Sequence, residues 1–448
     1  MKGVSRLAPP IAIALLATAV LLLPSMMTFG GIGLFVLAIL LTAPPIVALG
    51  LHFVLVQVAG EALHVGPLPL GVAQAFYVIV VAAALRLTAG GVPPLRGVMD
   101  RHMAALGLVA AVAVVVGVVS GSELAMVKAD ASPVVFLTLS YVLSRLIVRT
   151  LSDVDAVLAA ILAGSALAAL KGLYLFLTPL GVDWDGVWQA RRIVESGVTR
   201  IILRGADVLF VASTMIVTAR WWFGRRMSWP FAAAGALSAF GVLLSGTRSN
   251  WAGLAGGLAW LGAVWITFSR ATIRRAVMAG ILCTVTLIIM FAASEGVWRL
   301  GEAAVAFVTG RLHTVDFRRI ESIAALDAAW QTYGLGAGFG ATYEYWDTGR
   351  GSFVRTAWSH NGYLEILLKT GVLGLLVSLS LVWHSLRLTL ASVRCGHPWA
   401  DRVLGVQGGL AAIFVLSLAT NKFFELSGPM FLGFAFAVVQ AAADAERG

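Results

Sequence analysis

Apolar runs follow one another along the chain with short polar breaks between them. Read as helices, they give candidate spans near 10–24, 28–43, 46–61, 68–88, 103–120, 132–149, 155–178, 203–220, 229–246, 250–268, 273–293, 361–386, 403–420 and 426–443. Most approach the ~17–25 residues that a helix needs to cross a hydrocarbon layer. The runs make about fourteen spans, or about twelve if short early runs merge or stay buried. Strand-length alternation is absent, so the predicted architecture is an all-α polytopic integral membrane helical bundle and not a barrel. Residues 1–448 read as a single transmembrane domain with two long polar connections, 179–202 and 294–360.

Charge decides the orientation. Arg96 and Arg101, then Arg145 and Arg149, then Arg220, Arg225 and Arg226, then Arg270, Arg274 and Arg275, then Arg387, Arg394 and Arg402 fall in alternate connections, which marks those connections as cytoplasmic. Both termini then lie inside, and the two long connections lie outside. The first run, behind Lys2 and Arg6, reads as a retained span because a second follows at once with no soluble domain after it. Composition agrees, with 59% hydrophobic and 12% charged residues and a mean hydropathy of +0.91. The net charge of +10 resides in the short loops, so no nucleic-acid partner is expected. Cys283 lies in an apolar run and Cys395 in a basic loop, so no disulfide framework or cysteine metal site is expected.

Inside the longer connection, Ile320, Ile323, Ala324, Asp327 and Trp330 fall at helical spacing and predict an amphipathic helix over Val315–Tyr333. The stretch GLGAGFGA, 334–341, reads as a flexible turn. Then comes WSHNGYLEILLKTGVLG, which places His360 on the outer threshold of a long apolar helix. At about 100° and ~1.5 Å per residue, Gly371 lies near the face of His360 some 16 Å deeper, on a stripe with Leu364, Leu367 and Gly374. Small residues on that stripe would let another helix approach closely. Glu365 and Lys369 are spaced to pair on the opposite face. From spacing alone, a histidine making an ordinary interfacial hydrogen bond and a functional histidine stand level.

The pattern His360-Asn361, nine residues, Gly371, two residues, Gly374 resembles the signature of the O-antigen ligase family, within the ligase and polymerase superfamily of bacterial surface polysaccharides. The stretch SGTRSN, 245–250, resembles the family's Ser-Arg segment, and GLGAGFGA resembles its glycine-rich stretch. The likeness covers roughly 240–440. It implies a GT-C-like bundle, usually of twelve helices against the twelve to fourteen counted above, in a Gram-negative inner membrane, with a large periplasmic loop containing helices. It also implies transfer of O-antigen from undecaprenyl diphosphate to lipid A-core, among membrane lipids.

Such a transfer requires a cationic clamp for the departing diphosphate and a base for the acceptor's hydroxyl proton. The guanidinium fork suits diphosphate. Arg248 is the first candidate for the clamp, on resemblance, followed by Arg191, with Arg192 and Arg200 in the same outer loop; Arg204 reads as a partner of Asp207. Arg311, Arg318, Arg319 and Asn361 are candidates for acceptor or phosphate contacts. An imidazole titrates near ~6.5, so His360 is assigned as the base, with inversion expected; stabilisation of the diphosphate by a protonated ring is the other assignment. Asp153-Val-Asp155 and Asp183-Trp-Asp185 have the look of short metal motifs but lack a surrounding nucleotide-binding domain, so no metal and no cofactor are expected. Glu61 and His64 form one further acid and histidine pair. Trp184, Trp188, Trp330, Trp346 and Trp358 fit an interfacial belt better than sugar stacking. A polymerase using the same donor, a protein O-glycan transferase, and a lipid-linked sugar transporter are the competing functions. The transporter predicts inverted repeats and midplane charges, and Lys171 is the main isolated mid-span charge.

Overall fold

The computed structural model describes residues 44–59, 63–65, 68–70, 96–178, 190–195, 198–203, 206–223, 227–245, 247–268, 318–347, 351–425 and 427–446. The expected spans 10–24, 28–43 and 273–293 lie outside these residues, as do Glu61, Asp183, Trp184, Asp185, Trp188, Arg204, Cys283 and Arg311.

Among the described residues the chain is a helical bundle with a few short strands. The helices are α1 (Pro45–Ala59), α2 (Val98–Val119), α3 (Leu124–Ile147), α4 (Leu151–Leu177), α5 (Asp207–Trp222), α6 (Trp229–Ser245), α7 (Arg248–Phe268), α8 (318–331), α9 (Gly362–Arg394), α10 (Ala400–Leu416) and α11 (Ser427–Ala445). Six of these, α2, α3, α4, α7, α9 and α11, are long and apolar enough to cross a membrane. Three antiparallel hairpins join them: β1 (Leu63–Val65) with β2 (Leu68–Leu70), β3 (Ala190–Glu195) with β4 (Val198–Leu203), and β5 (Tyr343–Asp347) with β6 (Ser352–Thr356). The expected span at 68–88 is corrected at its start, since Leu68–Leu70 is a strand.

Local chemistry sets the helix starts. Thr150 caps α4 by accepting from the Asp153 amide, while Asp153 accepts back from the Thr150 amide. This also accounts for half of the Asp153-Val-Asp155 pair. The other half, Asp155, bridges Arg402 at 2.7 Å and Arg220 at 3.3 Å. α3 packs on α11, α5 on α10, α1 on α4, and α2 on α9. Their shared core includes Phe53, Met99, Tyr141, Leu158, Phe431 and Phe434, all essentially inaccessible.

Among the described residues, Arg145, Arg220 and Arg402 of three basic connections gather at one end of the bundle. Arg145 binds Asp100 at 3.1 Å and Asp444 at 2.6 Å, and Arg402 binds Asp155 and Asp401. With the Arg220–Asp155 pair, they tie the ends of α2, α3, α4, α5, α10 and α11 together. Lys171, the isolated mid-span charge, instead donates to the Val58 carbonyl at the end of α1, at 2.8 Å. It satisfies a helix-end carbonyl, as buried lysines can. At the opposite end lie the hairpins, α8 and His360.

Candidate active site

Asn361 is the N-cap of α9, its side-chain oxygen accepting from the amides of Tyr363 at 3.0 Å and Leu364 at 3.2 Å. That cap fixes the chain entering the helix and so fixes His360, one residue earlier. The turn after α10 holds the same point from below, since the Gly362 amide donates to the Ser417 carbonyl at 2.8 Å.

The partner of His360 comes from α8. His360 Nδ1 lies 2.9 Å and 3.0 Å from the two carboxylate oxygens of Glu321. The His360 amide donates to the same carboxylate at 3.4 Å, and the Tyr343 hydroxyl of β5 donates to it at 3.2 Å. The Glu321 side chain is 2% exposed, whereas the histidine ring keeps 36% of its surface. Burial and the adjacent Glu321 charge push the Tyr343 phenol above its ordinary range, so it stays a donor. The Trp358 ring stands 5.5 Å from the imidazole.

Beneath this pair lies a second acid. Glu365 accepts from the Ser359 amide at 2.7 Å and faces Lys369 at 3.8 Å. The closer partner of Lys369 is Asp130 of α3, at 2.7 Å, and its ammonium also donates to the Ala341 carbonyl at 2.6 Å. The pairing predicted between Glu365 and Lys369 is therefore part of a larger buried set directly under the histidine.

α8 occupies 318–331 of the helix expected over Val315–Tyr333, but only part of the marked spacing turns inward, Ile320 and Ala324 packing against the buried cluster. Ala325 and Ala329 are buried with Glu321, while Ile323 and Trp330 are 49% and 75% exposed. The alanines pack on Leu368 and Tyr343, so a small-residue stripe carries the acid to the histidine.

The glycine-rich stretch 334–341 is not a flexible turn. Gly371 has φ 70° and ψ −171°, which breaks α9. The groups freed by the break bond to the stretch: Ala337 N donates to Leu368 O at 2.7 Å, Gly338 N to Lys369 O at 3.1 Å, and Val372 N to Gly334 O at 2.8 Å. The stretch continues against α2 and α3, where Phe339 N donates to Ala113 O and Gly340 N to Asp130. Gly371 thus serves a backbone interlock and not the helix-to-helix contact expected from its spacing. Gly374 does face a helix, with the position of a Cβ only 3.2 Å from Val109 of α2.

The arginine candidates divide. Arg248 is the first residue of α7, whose Gly253 sits against Leu416 near the end of α10. The same end of α10 carries Ser417, which holds the start of the histidine helix. The β3–β4 register pairs Arg191 with Ile202, Arg192 with Ile201, and Ile193 with Arg200. Arg191 and Arg200 therefore fall on one face of the ladder, and Arg192 falls on the face of buried Ile201 and Leu203. Arg318 and Arg319 open α8, one turn before Glu321, with Arg319 exposed. Asp207, expected to pair with Arg204, is bound by Lys422 at 3.1 Å. Burial would lower that ammonium, but Asp207 and Glu425 hold it above the ordinary lysine range.

Sequence reasoning missed Glu321, Tyr343 and Asp130. The available signal for Glu321 was its register with Ala325 and Ala329, four and eight residues on.

Residues 233–379 match the family model described as O-antigen ligase. The matched stretch contains Arg248, Glu321, Tyr343, His360, Gly371 and Gly374. No curated protein matches the chain.

Proposed function

We propose that this chain, a member of the O-antigen ligase family by the domain it carries over residues 233–379, transfers a preassembled O-antigen from undecaprenyl diphosphate to lipid A-core. It is a multi-pass membrane protein of the ligase and polymerase superfamily that makes surface polysaccharide. In this reading it sits in the Gram-negative inner membrane, with both termini cytoplasmic and the histidine end periplasmic. The positive-inside rule supports that orientation, because the paired arginine connections lie at the far end.

The observation that carries the proposal is an imidazole at the mouth of a span, its Nδ1 held by a buried carboxylate and its ring partly exposed. His360 takes the proton of an acceptor sugar hydroxyl as that oxygen attacks the anomeric carbon. The bond from that carbon to the diphosphate oxygen breaks, and the diphosphate leaves with the electron pair. Attack opposite the leaving group inverts the anomeric configuration. Arg248, with Arg191 and Arg200, meets the departing charge, and Arg318 and Arg319 meet acceptor phosphates. No metal is needed, because fixed cations do the neutralising. An apolar crevice lined by Tyr363, Ile366, Phe414, Phe423 and Phe436 begins just below the histidine and suits a polyprenyl tail entering from the side.

The test is a transfer assay with purified protein and an undecaprenyl diphosphate-linked glycan, with and without lipid A-core. Product on lipid A-core alone supports the ligase. Longer lipid-linked glycan formed from donor alone would make the protein a polymerase, and the absence of any glycan product would return the transporter.

A further inference from the structure

We infer that Glu321 is the positioning residue of His360: it fixes the ring with Nδ1–H directed inward, leaves the basic lone pair on Nε2, and stabilises the imidazolium as the acceptor proton arrives. The inference rests on the reading of His360 as base and adds a residue that acts through it.

The geometry is specific. Both oxygens of Glu321 lie within 3.0 Å of Nδ1, so the ring nitrogen faces the middle of the carboxylate. A carboxylate only accepts, so Nδ1 must carry the hydrogen, and the tautomer follows. The acid itself is held by Tyr343 and the His360 amide, which leaves it little freedom to turn away. Its burial makes its charge effective over this short distance, since little water screens it.

Other charged groups face the site from each packed element. Glu365 and Lys369 lie on α9 and Asp130 on α3. Lys422, Asp207 and Glu425 lie behind Asn361, near the Asn421 turn. Arg318 stands one turn before Glu321, and Asp347 lies on the Tyr343 face of β5. Lys369 is bound by Asp130 at 2.7 Å and Lys422 by Asp207 at 3.1 Å, while Glu321 contacts the ring itself at 2.9 Å.

The experiment is kcat and KM for glycan transfer, per folded molecule of the purified full chain, using undecaprenyl diphosphate-linked glycan and lipid A-core. Glu321→Gln keeps the shape and removes the charge. It is expected to lower kcat by about 10- to 100-fold with KM for donor and acceptor unchanged, because Glu321 acts through His360 and not on the substrates. Glu321→Asp keeps the charge but shortens its reach to Nδ1, and should give an intermediate kcat. A merely structural role would lower the amount of folded protein and leave kcat per folded molecule unchanged. A folded Glu321→Gln variant with the wild-type kcat overturns the inference. If that variant fails to fold, a wild-type kcat in Glu321→Asp overturns it alone. His360→Ala separates the levels: retained transfer there defeats the base assignment itself, and lost transfer with a normal Glu321→Gln defeats only the role of Glu321.

Discussion

Replacing Gly371 by alanine places a methyl group 2.5 Å from the carbonyl oxygens of Gly334 and Leu335. Those atoms are backbone and cannot swing aside, so the stretch 334–341 has to retreat. With it go the bonds from Ala337 to Leu368, from Gly338 to Lys369, and from Val372 to Gly334. Three such bonds at about 0.5–1.5 kcal/mol each, with about 1–3 kcal/mol for a side chain at φ 70° and ψ −171°, make roughly 2.5–7.5 kcal/mol. Gly107→Ala in α2 is the internal comparison. Its methyl meets nothing within 4 Å, and the gain in helix propensity is up to about 1 kcal/mol. Thermal unfolding of the detergent-purified protein, with transfer activity measured on the same samples, reads both variants. Gly371→Ala is expected to unfold well below wild type and to lose most transfer, because the retreating stretch carries α8 and Glu321 with it. Gly107→Ala should stay near wild type or slightly above it. An effect of Gly371→Ala as small as that of Gly107→Ala would refute the interlock.

Lys369→Met and Asp130→Ala each leave a buried charge without its closest partner and should cost about 3–5 kcal/mol, read as lost folded yield and lower thermal stability. The double variant should cost less than the sum, and strict additivity would mean the two do not couple. Arg248→Lys keeps the charge but loses the fork, so donor KM should rise or kcat fall by about tenfold or more; unchanged kinetics would move the clamp away from α7. Excess chelator should leave the transfer rate unchanged, and loss of activity restored by a divalent cation would contradict metal-independent transfer.

The helical bundle was legible because burial in lipid imposes a long, simple apolar pattern, and six described helices carry it. Boundaries were less so. α3 begins at Leu124, earlier than its apolar core at 132, because Pro133 and the polar residues before it are tolerated inside the helix. His360 and its place at a helix start were readable from local spacing. Its partner was not, since Glu321 lies 39 residues earlier and meets it only through the fold. Apolar spacing misled in part on α8, because Ile323 and Trp330 stay exposed while the small alanines make the close contact. Glycines carry the least information of all. The same letter at 371 and 374 marks a broken backbone in one place and a close helix contact in the other.

The most direct measurement of the central claim is transfer of an undecaprenyl diphosphate-linked glycan to lipid A-core by His360→Ala beside wild type, each normalised to folded protein. The account predicts that the variant inserts and purifies as wild type does, with transfer reduced by about 100-fold or more. Turnover within a few-fold of wild type would show that the proton goes elsewhere and that His360 is not the base.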